Sequence, residues 1–256
     1  MESLFILKIG GKVIEDQALL EEALQAFVQQ KGHKILIHGG GKRASELSKQ
    51  LGIPVQMVNG RRITDAATLE VAVMVYAGLA NKNIVARLQA LGCNAIGLSG
   101  ADANAILAHK REVKDIDYGF AGDVDAVNVN TIQTLLEGSL TPVFCAITHD
   151  GKGQLLNTNA DTIAMQLATA MAPHYLVSLH FCFEKPGVLL NAEDHNSVIP
   201  ILHYNDYQDY QADGTIYEGM LPKLDNAFTA LQKGVKEVRI GDVRAILERK
   251  GTTLQY

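Results

Sequence analysis

Two short apolar strands, each running straight into a cluster of glycines, constrain this chain most. Leu4-Phe5-Ile6-Leu7-Lys8-Ile9 leads into Gly10-Gly11, and Lys34-Ile35-Leu36-Ile37-His38 leads into Gly39-Gly40-Gly41. Between them the apolar spacing over residues 18–30 predicts an amphipathic helix. A strand, a helix and a strand in that order form a parallel unit, and such units build α/β sheets covered on both faces. Ligands in these sheets sit beyond the carboxyl ends of the strands, where both glycine clusters lie. Lys8 brings positive charge to that edge, and residues without side chains let phosphate oxygens approach backbone N–H groups, here those of Gly10, Gly11, Gly40 and Gly41. One such cluster is equally an ordinary strand-to-helix turn, but two in series favour an anion site. Neither has the spacing of a P-loop or of a dinucleotide fingerprint.

At 256 residues the chain can form one large α/β domain or two lobes on a continuous sheet. With 20% charged residues and a net charge of −5, it lacks the basic surface that nucleic-acid binding requires. The pairs Lys42-Arg43 and Arg61-Arg62 suit a small anionic ligand better than a polymer. Cys93, Cys145 and Cys182 are scattered among apolar residues, without Cys-x-x-Cys spacing, and read as buried thiols in a reducing compartment. The first residues form a strand, not a leader, and no uninterrupted apolar run has membrane-spanning length. The expectation is a cytoplasmic protein without a membrane segment.

Further along, a helix is expected over residues 44–51. A long helical pattern follows over 66–89, apolar on more than one face and therefore deeply buried or shared with a second subunit; the shared face, and so a homodimer, is favoured. Strands are expected at 94–98 and 143–147, with hairpins inserted over 109–129 and a tight turn at Asp150-Gly151-Lys152-Gly153. Asn159 is a natural helix cap, with Asp161 in the first turn. The last third holds a strand at 175–179, a turn and short strand at 185–189, a surface helix over 203–211 and a helix opened by Gly219-Met220-Leu221-Pro222-Lys223. A final sheet strand is expected at 235–240. The fold class is α/β, an αβα sandwich around a mainly parallel sheet.

Phosphoryl transfer asks for donor and acceptor held in line under positive charge. Lys8 and the glycines supply part of this, and Lys223 is the best candidate for a second lysine facing the first, against the plainer reading of a solvated helix lysine. Asp161 either holds both ammonium groups or serves only its helix. Arg62 either binds a substrate carboxylate in a bidentate fork or makes a surface salt bridge. His38 reads as structural, because a carboxylate acceptor is already ionised and needs no general base.

Taken together, Lys8-Ile9-Gly10-Gly11, His38-Gly39-Gly40-Gly41, Asn59-Gly60-Arg61-Arg62-Ile63-Thr64, Ala80-Asn81-Lys82, Asn157-Thr158-Asn159-Ala160-Asp161 and Gly219-Met220-Leu221-Pro222-Lys223 resemble the amino-acid kinase family. The match is spread over nearly the whole chain. The resemblance implies that the γ-phosphoryl of ATP moves to the side-chain carboxylate of an N-acylated glutamate. The acetyl compound is expected first, with N-succinylglutamate or a non-catalytic ligand-binding relative as alternatives. By motif, Lys8 and Lys223 would stabilise the migrating phosphoryl and Asp161 would organise both. Gly40 and Gly41 would contact substrate and phosphate, Gly11 would leave room for phosphate, and Arg62 and Asn157 would hold the α-carboxylate and acylamino group. Mg²⁺ would ride on the nucleotide phosphates. Residues 1–174 are then expected to form a substrate-binding and dimer-forming lobe, and 175–256 a nucleotide-binding lobe. Where the family usually carries an aspartate-containing nucleotide loop, this chain has Phe181-Cys182-Phe183-Glu184-Lys185. Its start almost directly on the first strand leads to the expectation of a dimer without control by arginine.

Overall fold

The computed structural model describes every residue except Asn59, Gly60, Tyr217 and Arg249, with backbone alone for Glu218 and Ile246. The Asn59-Gly60 part of the motif at 59–64 therefore lies outside the described residues. The chain follows the alternating pattern of its sequence: β1 (Ser3–Ile9), α1 (Gly11–Glu15), α2 (Gln17–Val28), β2 (His33–His38), α3 (Gly41–Gln50), β3 (Met57–Val58) and β4 (Arg61–Arg62). A long helix then runs through α4 (Ala66–Val73), a π-helical stretch (Met74–Ala80) and α5 (Asn81–Ala90). After β5 (Ala95–Leu98) come β6 (Ile106–Lys110), β7 (Ala121–Val127), α6 (Val129–Glu137), β8 (Thr141–Cys145), β9 (Ile147–His149), β10 (Leu155–Thr158) and α7 (Ala160–Met171). The last third holds β11 (Leu176–Cys182), β12 (Ile201–His203), α8 (Tyr204–Ala212), α9 (Leu221–Gln232), β13 (Glu237–Gly241), α10 (Val243–Leu247) and β14 (Thr252–Gln255).

The main sheet has eight strands in the order β12-β14-β13-β11-β1-β2-β8-β5. Among the described residues, only its β13–β14 pairing is antiparallel. β1 lies at the centre, pairing with β11 from Ser3 opposite Leu176 to Ile9 opposite Cys182, and with β2 on its other side. Its apolar residues are buried on both faces, which explains why it reads as a continuous apolar run rather than an alternation. Leu4 and Ile6 face one core, shared with α7 and α9; Phe5, Leu7 and Ile9 face another, shared with α2 and α5.

Three expectations need correction. The 109–129 region holds one antiparallel pair, β6 with β7, bulged at Leu107/Ala108, and this pair closes a small four-stranded ring with β9 and β10. Val129 already belongs to α6, capped by the Asn128 side chain accepting from the Thr131 N–H. The strand at 235–240 is not the last, because β14 follows and turns back along it; its short, polar Thr-Thr-Leu-Gln run carries little apolar alternation. Helix α3 begins at Gly41, three residues before the sequence suggested. Its cap, Gly40, has φ +157°, and a Cβ there would come 2.8 Å from Tyr76 Cδ1, so only glycine permits the turn.

Ala66–Ala90 forms a 25-residue helix whose length and hydropathy alone would suffice to cross a bilayer, which qualifies the expectation of no membrane-length segment. Val71, Ala72, Val75 and Tyr76 nevertheless pack into one core cluster and Ile84 and Leu88 into another. Met74 and Leu79 remain about half exposed, at 52% and 49%. All three cysteines are free and buried, and burial pushes the Cys145 and Cys182 thiols up to about 12.

Asn81 locks the carboxyl ends of neighbouring strands together. Fully buried, its Nδ2 donates to His38 Nε2 (3.0 Å) and to the Val143 carbonyl (2.9 Å). Lys82 Nζ donates to Asn81 Oδ1 and to the Gly97 carbonyl, adding β5 to the knot. Replacing Asn81 by Ala removes two buried bonds and strands two acceptors, so a loss of about 2–4 kcal/mol is expected. Urea unfolding should show a lower midpoint at unchanged slope.

Candidate functional site

Three elements distant in sequence meet at the end of β1. Lys8, the penultimate residue of that strand, places Nζ 2.7 Å from Asp161 Oδ1 as an ion pair. Lys223 on the first turn of α9 donates to Asp161 Oδ2 at 3.2 Å. Asp161 itself is fixed by the start of α7, where the Asn159 side chain accepts from the N–H groups of Asp161 and Thr162. Pro222, in the first turn of α9, presets the backbone there. All three charged side chains are largely buried, at 10%, 15% and 11% exposure. Burial by itself would raise the Asp161 pKa, but the two ammonium groups outweigh it and hold the carboxyl well below the usual carboxylate range. Burial, then the neighbouring Lys8 charge, lowers the pKa of Lys223 against the pull of Asp161.

The cationic pair opens into a cavity of about 650 Å³ whose lining includes Gly10, Gly11, Lys12, Lys42, Phe183 and Lys185. A Cβ on Gly11 would meet nothing within 4 Å, so this glycine leaves open space beside the lysines. Gly10 behaves differently from expectation: its N–H donates to the Cys182 carbonyl at 2.8 Å and is committed to the sheet. Lys12 pairs with Glu184 (2.8 Å) and Lys42 with Glu15 (2.9 Å) across the mouth.

A second cavity, about 220 Å³, is lined at the glycine turn by Gly41, next to Lys42 of the first, and at the start of α7 by Ala160. Gly40, Gly41, Arg62, Tyr76, Asn157 and Ala160 are among its lining residues. One Arg62 nitrogen, Nη2, donates to the Gly41 carbonyl (2.7 Å) and to Ser45 Oγ (2.6 Å). The other, Nη1, is buried without a protein partner, leaving a desolvated donor for which an anionic ligand is the natural complement. Asn157 Nδ2 donates to Thr64 Oγ1 at 3.0 Å, which joins β10 to the segment after Arg62. The structure thus gathers Lys8, Lys223 and Gly11 around one cavity, with Asp161 paired to both lysines, and Gly40, Gly41, Arg62 and Asn157 around a second.

A profile described as the amino acid kinase family matches residues 3–242. The chain is 52% identical over 254 residues, 99% of each protein, to one from Phocaeicola vulgatus named acetylglutamate kinase. A protein of the same name from Parabacteroides distasonis is 51% identical over 252 residues, 98% of this chain and 99% of that one. The chain belongs to the amino acid kinase family. Among solved structures, smu.665 from Streptococcus mutans superposes with a TM-score of 0.81 at 25% identity, covering 98% of both chains. The amino acid kinase fold seen in the sequence motifs is therefore the fold of the whole chain.

Several residues lining the candidate site escaped the sequence. Ser45 was visible only as a residue near a helix start, and Tyr76 as one apolar position among many. The π-helical stretch shifts the register that would have placed Tyr76. Arg111 enters the smaller cavity from the end of β6, held by a bidentate pair with Asp123, and no local pattern marks it.

His38 is fully buried between the Gly39 carbonyl, which its Nδ1–H meets at 2.8 Å, and the Asn81 amide. Burial lowers its pKa from 6.5 to about 4. Unfolding therefore takes up a proton between pH 6.5 and 4, and stability falls as pH drops through that window. The full effect is on the order of 3 kcal/mol. The Asp161 contribution is present above its ordinary value of 3.8 and is lost only on going lower. Urea midpoints measured across pH 7 to 4 should decline, and the decline should flatten in His38→Gln.

Proposed function

We propose that this chain transfers the γ-phosphoryl of ATP to the side-chain carboxylate of N-acetyl-L-glutamate, giving an acyl phosphate. The observation that carries the reading is the convergence of Lys8 and Lys223 on one buried carboxylate, the two lysines lining one cavity while Ala160, next to that carboxylate, lines a second, smaller one. Relatives half identical over nearly the full length carry the matching name. The larger cavity suits the nucleotide: Lys8, Lys12, Lys42, Lys185 and Lys223 face it with only Glu15 and Glu184 in opposition. The smaller suits the acylated amino acid, with Arg62 for the α-carboxylate and Asn157 for the acylamino group. This division assigns residues 1–174 to the amino-acid substrate and 175–256 to the nucleotide, although Lys8, Gly10, Gly11, Lys12, Glu15 and Lys42 of the first segment also line the larger cavity.

In this reaction the acceptor carboxylate is already a nucleophile, so no general base is needed. The migrating phosphoryl gathers charge on its peripheral oxygens as it passes between the two sites. Lys8 and Lys223, held in place before substrate arrives, meet that charge without reorganising. Asp161 keeps two like charges adjacent without touching the reacting group. The first-turn N–H groups of α7 at Asp161 and Thr162 are taken by the Asn159 side chain, so α7 contributes the Asp161 carboxylate and not backbone donors. Mg²⁺ would arrive on the nucleotide phosphates and offset their charge. The exposed Met74 and Leu79 on the long helix support a homodimer through residues 66–89.

One observation favours a second reading of the acyl group. Arg61 and Arg111 line the smaller cavity beside Arg62, a cationic wall that would suit an acyl chain ending in a carboxylate, as in N-succinylglutamate. ADP release with ATP, Mg²⁺ and a panel of N-acylglutamates distinguishes the two, and binding without turnover of any of them would sink the proposal. Lys8→Ala and Lys223→Ala should each lower kcat by about 10²-fold or more with little change in KM. Arg62→Ala and Asn157→Ala should instead raise KM, with kcat less affected; near-normal turnover in both lysine variants contradicts the assignment.

A further inference from the structure

We propose that Phe181 and Phe183 are positioning residues for Lys223, their ring faces holding its ammonium beside Asp161 without adding a second anion to the site. The role in turnover rests on the kinase reading above, while the geometry stands independently of it. Lys223 Nζ lies 5.6 Å from the centroid of the Phe181 ring and 5.7 Å from that of Phe183, over both rings. Both distances fall within the range in which a ring's negative face attracts a cation. The two rings come from alternate residues, Phe181 in β11 and Phe183 just beyond its end, and both face Lys223. Phe181 sits directly opposite Lys8 in the β1–β11 register. Phe181 is 1% and Phe183 9% exposed, so water does not screen the contact.

Lys223 shares its cavity with Lys8, Lys12, Glu15, Lys42, Glu184 and Lys185. Asp161 on α7 accepts its hydrogen bond, and Lys8 on β1 shares that carboxylate. Glu184, after β11, acts from farther away and is itself paired with Lys12 of α1. Burial and Lys8 both disfavour the charged form of Lys223. A further carboxylate would correct this but would cancel the site's positive charge and repel a phosphoryl group. An aromatic face stabilises the ammonium and leaves the net charge intact. The aromatic stretch that departs from the family's usual nucleotide loop thus acquires a purpose.

The test measures the acylation rate of Lys223 by an amine-selective reagent across the alkaline range, read by peptide mass spectrometry on the unliganded protein. Phe183→Leu keeps apolar bulk and should move the Lys223 midpoint to lower pH by about half a unit or more. Phe183→Tyr should leave it in place. Phenylalanines of increasing ring fluorination at position 183 weaken the ring's negative face at nearly constant shape, and should lower the midpoint stepwise. In the coupled assay the alkaline limb of kcat should follow the same order while KM for the acylglutamate holds. A fluorinated series that titrates like the unmodified protein overturns the proposal, and that series decides alone if the leucine variant does not fold. A series that shifts in a protein unable to release ADP with any N-acylglutamate would retain the positioning role and refute the kinase reading.

Discussion

A single buried carboxylate held between two ammonium groups organises this molecule. At an effective dielectric constant near 20, unit charges about 4 Å apart interact by on the order of 4 kcal/mol. Lys8 and Lys223 would therefore repel each other strongly at the same edge without Asp161. With it they form a desolvated group of net charge +1 that joins the central strand β1 to helices α7 and α9. Burial makes such a cluster costly unless its charge is answered. In the proposed reaction the answer is a phosphoryl group, so the residual charge is the functional part of the arrangement.

The surrounding fold keeps that cluster from relaxing. β1 is paired on both sides and has cores on both faces, which leaves Lys8 little freedom beyond its own rotamers. At the neighbouring strand the problem is solved with neutral groups: His38 stays uncharged, and Asn81 ties it to β8. The two glycine turns then occupy a rigid edge, one lined by Tyr76 and the other open beside the lysines. Strand ends that carry charge and strand ends that carry neutral hydrogen bonds lie next to each other, and the two cavities follow that division.

Much of this was legible in advance because it rests on local pattern. Apolar runs ending in glycine give parallel strands and their turns, and Asn159 ahead of Asp161 gives a capped helix with an acid in its first turn. The motif order carried the family. Less legible were contacts that depend on register or on long connections. Gly10 seemed as able as Gly11 to offer its N–H, yet strand pairing with β11 takes it. The β6–β7 pair hid its closure with β9 and β10, since no local signal specifies which strands meet across an intervening helix. The short polar strand β14 is held by its neighbours rather than by its own propensity.

The amino-acid sequence by itself determined the α/β class, the strand-end glycines, the chemical kinds of residue at the site and membership in the amino acid kinase family. Only the tertiary structure decided that Lys8 and Lys223 share one carboxylate, that Arg62 lines the smaller cavity with one nitrogen buried and without a hydrogen-bond partner, and that two phenylalanine rings face Lys223. The reason is physical. Periodicity and turn chemistry act over a few residues and are written in their order, whereas charge pairing, burial and ring–cation contact depend on distances fixed only when strands and helices from opposite ends of the chain have packed.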